Sequence, residues 1–150
     1  MIRWEIPLKT ISESNRSEHW TQSSKRHKRQ QFFIRALFKS EITPIPIPCE
    51  ITMTRIAVRM LDCEENLPMA FKWIKDELGA CLFPDKVVVY KTKSGRYAKN
   101  KGHADSDPRV TWKYAQEKGK IQGIRIEINP ILTVAESIPV SPADTAHEQS

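Results

Sequence analysis

No run of about 18 consecutive apolar residues occurs in this 150-residue chain, so no segment has the make-up of a membrane-crossing helix. The opening residues, Met1-Ile-Arg-Trp-Glu-Ile-Pro7, alternate polar and apolar and lack the apolar centre of a secretory signal, so a cytoplasmic protein is expected. Cysteine is scarce. Cys49, Cys63 and Cys81 are odd in number and share no metal-ligand spacing, which favours reduced, mostly buried thiols. Residues 129–150 lack Lys and Arg altogether and hold Glu136, Asp144 and Glu148, so the net charge of +6 is carried by the residues before them. A body this basic favours polyanions, of which nucleic acid is the commonest.

What is present suits about one domain with a single core. Ile2, Trp4, Ile6 and Leu8 alternate as a first strand, and Ser12 to Ser17 reads as a loop and helix cap. A helix over 18–40 places Trp20, His27, Ile34, Leu37 and Phe38 on an apolar face. Lys25, Lys28, Arg29, Arg35 and Lys39 lie on the opposite one. That cationic side is either a solvated face or a phosphate-contacting one, with His27 at the core boundary. Phe32 is the lone aromatic among those cations, which argues against single-strand stacking by this helix. The alternate prolines of residues 41–48 force an extended connection. From Cys49 to Leu61 a strand is expected, with a bulge or bend near Arg55 where the apolar phase shifts.

Asp62, Glu64 and Glu65 then fall between that strand and a helix over Leu67–Leu82, in which Pro68 sits in the first turn and Asn66 is the cap. Like charges so close call for a compensating cation, and a hard divalent ion with oxygen ligands fits; an acidic helix start favoured by the helix dipole is the other reading. Lys72 and Asp76 point away from the core of that helix. Residues 83–103 look like a basic hairpin turning at Ser94-Gly95. They carry Lys93, Arg96 and Lys99 among other cations, as a solvated loop or as an arm along nucleic acid. A second acidic group, Asp105-Ser-Asp107, precedes a strand through Val110, Trp112 and Tyr114. Glu117–Gln122 is the turn to a strand through Ile124, Ile126 and Ile128, and residues 131–150 read as a disordered tail.

Taken in order, several of these segments resemble the RusA-like Holliday junction resolvases, in particular their phage branch. The segments are Pro7-Leu-Lys-Thr and the basic helix, the acids ending in Asn66-Leu67, Ala70-Phe71-Lys72 with Lys75-Asp76, Asp105-Ser-Asp107-Pro-Arg with Trp112, Tyr114 and Gln116, and Gly123-Ile-Arg-Ile. The resemblance spans residues 5–128. It implies an α/β (α+β) fold with a small mixed sheet and two main helices, a homodimer, and Mg²⁺-dependent cleavage of four-way DNA junctions, with Mn²⁺ as an alternate ion.

By the same resemblance the metal ligands fall on Asp62, Glu65 and Asp105, with Glu64 and Asp107 in reserve. A one-residue insertion brings Asp62 rather than Cys63 to the first ligand position, since a thiolate is a poor ligand for Mg²⁺. The lysine that some members carry after the motif is replaced by Met69, which leaves Lys72 to assist. The basic contacts to DNA are Lys25, Lys28, Arg29, Arg35, Lys93, Arg96 and Lys99. The departures at Cys63, Glu65 and Met69 keep open a second reading, a branched-DNA-binding protein without catalysis. A third is a basic protein whose partner is RNA or another protein.

Overall fold

The computed structural model describes residues 1–13, 19–101 and 103–132, in one small α+β domain. The expected loop and cap before the first helix lies mostly outside those residues, as does the tail beyond 132. Strand β1 (Ile2–Ile6) buries Ile2, Trp4 and Ile6, as the alternation predicts. Helix α1 (Trp20–Ser40) follows, then β2 (Cys49–Ala57), α2 (Asn66–Ala70), α3 (Lys72–Leu82), β3 (Val88–Lys91), β4 (Tyr97–Asn100), β5 (Val110–Lys118) and β6 (Gly123–Pro130).

Four strands form a mixed sheet in the order β1-β6-β2-β5, with β2 parallel to β5 and the other pairs antiparallel. The register builds apolar rows across it. Ile2, Ile128, Ile51 and Trp112 make one row, and Trp4, Ile126, Met53 and Tyr114 the next. The third row, Ile6, Ile124, Arg55 and Gln116, turns polar towards β5. Helices α1 and α3 pack against one another, and Ile34, Leu67, Phe71, Ile74 and Leu78 join the sheet residues in one buried cluster. Burying such side chains is the main stabilising contribution, roughly 1.5–3 kcal/mol each.

Three expectations are corrected. Ladder pairing along β2 is unbroken through Arg55, so no bulge forms. Arg55 instead keeps the core-facing phase and is anchored by donating from Nη1 to the carbonyl of Arg59 at 2.7 Å. Strands β5 and β6 are joined by the expected turn but are not paired with each other, because β2 lies between them. The helix expected over 67–82 is divided at Phe71, whose N–H reaches back only three residues, to the carbonyl of Pro68. Trp20 is 73% exposed, and the buried stripe of α1 runs instead through Ser23, Gln30 and Ile34. His27 does lie at the boundary, stacked on Trp73 at 4.3 Å and bonded to Glu13 at 2.9 Å.

The basic insertion forms the expected hairpin, β3 against β4, with Gly95 at φ 85° in its turn. That left-handed conformation is one that glycine adopts without a Cβ penalty. Among the described residues no helix is long and apolar enough to cross a membrane.

Candidate functional site

Edge strand β5 aligns the acidic segments. Trp112, Tyr114 and Gln116 alternate along one face of it, and the first and last each hold a different part of the chain. The Trp112 indole N–H donates to the backbone carbonyl of Asp105 at 2.8 Å. Gln116 clamps Leu61 from both sides, accepting from its N–H at 2.9 Å and donating to its carbonyl at 2.6 Å, and lies 3.6 Å from the Cys63 sulfur. Four residues of strand span about 13 Å, so the Asp105 segment and the acidic turn sit at two stations on one strand. Tyr114 stands between them.

At the first station Asp105 meets Asp76 of α3. The Asp76 carboxyl is pushed up to about 6, chiefly by burial and then by the charge of Asp105, to which it hydrogen-bonds; Lys72 and Lys75 pull the other way. Burial and the same two carboxylates raise the phenol of Tyr114. Lys75 Nζ lies 3.7 Å from Asp105 Oδ2 and 5.5 Å above the Trp112 ring. The close approach requires Gly79, because a Cβ there would come within 2.7 Å of the Asp105 Cα. Two carboxylates held together against their mutual repulsion are relieved by a shared proton or by a cation. Asp76 was not among the residues singled out for chemistry; its signals were the i, i+4 spacing from Lys72 and the mid-helix glycine that follows.

At the second station the acidic turn is differently occupied. Asp62 Oδ1 accepts from the N–H groups of Glu65 at 3.0 Å and Asn66 at 3.3 Å, and Oδ2 accepts from the Asn66 amide. Those bonds, the Glu65 N–H first, hold its carboxyl below the usual range. Glu65, not Asn66, occupies the cap position of α2, and Asp62 takes up the N–H groups of Glu65 and Asn66 just ahead of the helix. Glu64, Glu65 and Cys63 are exposed, and of the three thiols expected to be mostly buried only Cys49 is fully so, Cys81 being half-buried. Among the described residues no group of three or more His, Cys, Asp and Glu side chains is close enough to hold a metal.

Asp107 is buried within a clamp of its own. Arg109 donates to it from Nε, Nη2 and the backbone, each at 2.9 Å, and Lys86 Nζ lies 2.7 Å away. The Arg109 and Lys86 bonds lower its carboxyl strongly. With both oxygens engaged it braces the loop, and the reserve ligand role is withdrawn. Lys72, exposed on α3, lies 5.2 Å over the Trp73 ring.

The cations fall into three groups. On α1, Lys25 and Arg29 line a groove of about 330 Å³ with Lys9, and Lys28 is exposed nearby. Lys93, Arg96 and Lys99 are exposed on the hairpin. Arg35 is instead committed to the buried Glu77 at 2.6 Å, which also takes Lys101 at 3.1 Å, so its charge is largely spent within the protein. No family model, curated protein or solved structure matches this chain.

Proposed function

We propose that this chain is a Mg²⁺-dependent, structure-specific endonuclease of the RusA-like type, acting on branched DNA such as four-way junctions. The observation that carries the reading is the packing of Asp105 against Gly79 of α3, with Lys75 3.7 Å away and the Asp76 carboxyl raised by burial and by its neighbour, flanked by basic surface. The donor set fits the ion, since Mg²⁺ is commonly held by one or two carboxylates, with waters and substrate phosphate completing the shell. Asp76 and Asp105 would hold it, with Asp62 and Glu65 in reserve at the neighbouring station of β5.

When bound, the ion would supply an activated water and neutralise charge on the phosphoryl oxygens. Lys75 fixes the orientation of Asp105 and, with Lys72, offsets the charge that develops on the phosphate. Lys25, Lys28, Arg29, Lys93, Arg96 and Lys99 hold the DNA backbone against the repulsion of the carboxylates. Two copies related by a two-fold axis would cut a junction symmetrically. An enzyme of this kind works in the cytoplasm, where its DNA is.

The test is cleavage of a mobile four-way junction with and without Mg²⁺, beside a linear duplex of the same sequence. Metal-dependent paired nicks near the branch are expected; equal cutting of both substrates removes the structure-specific reading. The engagement of Asp62 by the Glu65 N–H and the lack of a three-carboxylate group among the described residues favour one alternative, a branched-DNA binder without catalysis. It predicts salt-sensitive junction binding with no cleavage in Mg²⁺ or Mn²⁺.

A further inference from the structure

A solvent-open cleft of about 280 Å³ lies between α1, α3 and the basic hairpin, walled by Gln31, Trp73, Asp76, Tyr90, Lys99 and Asn100. Its size falls just below that of ordinary ligand clefts, which run from roughly 300 to 1,000 Å³. That is room for one nucleotide and none for a duplex. The wall also mixes the chemistry that a nucleotide needs. Tyr90 is about half exposed and offers an aromatic surface, Gln31 brings an amide that both donates and accepts, and Lys99 brings an exposed positive charge. Trp73 already carries the His27 ring, stacked at 4.3 Å, and Lys72 at 5.2 Å, which makes the exposed Tyr90 the ring offered for stacking. Asp76 belongs both to this wall and to the Asp105 pair, so whatever fills the cleft lies against the proposed reaction centre.

We propose that the cleft holds a single unpaired nucleotide of branched DNA, its base stacked on Tyr90 and its phosphate directed to Lys99. This rests on the branched-DNA reading and deepens it. An unpaired nucleotide becomes what distinguishes substrate from ordinary duplex, because freeing a base costs less where helices meet and their stacking is interrupted than inside a continuous helix. Asp76 repels phosphate and so favours the arrangement with the phosphate on the lysine side. The hairpin then acts as a reader of strand structure as well as a source of charge.

The experiment uses the full chain without divalent metal, so that cleavage plays no part. The probes are a duplex with one bulged 2-aminopurine nucleotide and the same duplex fully paired. Tighter binding of the bulged DNA with quenching of its fluorescence is expected. Tyr90→Ala should weaken bulged-DNA binding roughly 5- to 100-fold while leaving the paired duplex within about twofold. Tyr90→Phe should restore both the affinity and the quenching. Equal weakening on the two probes overturns the proposal, since Tyr90 would then serve only general backbone contact, and so does quenching that survives Tyr90→Ala. Wild-type binding of both probes with equal affinity overturns the cleft assignment alone, whereas binding of neither removes the DNA reading with it.

Discussion

The turn at Asp62–Glu65 and the Asp76–Asp105 pair are both acidic and both held by β5, yet their electrostatic states are opposite. The turn concentrates three acids in four residues and disperses the strain by exposure and by the backbone N–H groups that Asp62 accepts. The pair brings together only two acids, but burial and proximity leave the repulsion standing, as the rise of Asp76 to about 6 records. On the proposed reading, charge density along a sequence is a poorer guide to the reactive centre than electrostatic cost that the fold leaves in place.

The widest separation between the two regions is expected from Asp105→Asn. It should lower metal-dependent junction cleavage by more than about 100-fold, beyond what loss of a group supporting a ligand costs, while junction affinity is kept. Cleavage at the parental rate would move the centre to the turn.

Gly79→Ala comes next, because the new Cβ would displace the Asp105 backbone from α3. A loss of about 1–3 kcal/mol, read by urea unfolding, is expected from such overpacking, with a fall in cleavage. Unchanged stability together with unchanged activity would show that the close approach is dispensable.

The third prediction concerns pH. The folded-state pKa of Asp76 lies above its ordinary value of 3.8, so its protonation favours the folded protein. That contribution is complete below about pH 4 and is lost as pH rises through about 6. Asp76→Asn should therefore unfold at a higher temperature than the parent at pH 8, with the gap closing towards pH 4. Mg²⁺ should raise the parental unfolding temperature at pH 8 and leave that of the variant unchanged.

The smallest change is expected from Asp62→Asn, since an asparagine side chain accepts backbone N–H bonds at a helix start about as well as aspartate. Thermal stability and cleavage should both stay near parental. Abolished cleavage in a folded Asp62→Asn protein would reverse the comparison.

Strand alternation made most of the sheet legible. Ile2, Trp4 and Ile6 were read correctly from a period of two, as were Ile124, Ile126 and Ile128, and the Ser94-Gly95 turn located the hairpin. Local patterns missed whatever depended on distant chain. Arg55 looked like a phase break because a basic side chain does not ordinarily share a core-facing row, and only the loop carbonyl of Arg59 makes it tolerable. Trp20 was assigned to the core by helical period, but α1 buries Ser23 and Gln30 instead. In the site, Asp105 was legible as an acid in a loop. Its partner was not, because only packing at Gly79 brings the two together. Asp107 was indistinguishable from Asp105 in sequence, and Arg109 and Lys86 give it another task.

The strand order also sets a timetable for synthesis. Strand β6 is the last of the sheet in sequence and lies between β1 and β2, so Ile2 pairs with Ile128 and Trp4 with Ile126. Until residues 123–130 leave the ribosome, β1 has no neighbour and β2 lacks one of its two. The helices and the hairpin are local and can form early, but the sheet closes only after nearly all of the described chain exists. A nascent chain stalled before Gly123 would expose the apolar edges of both strands.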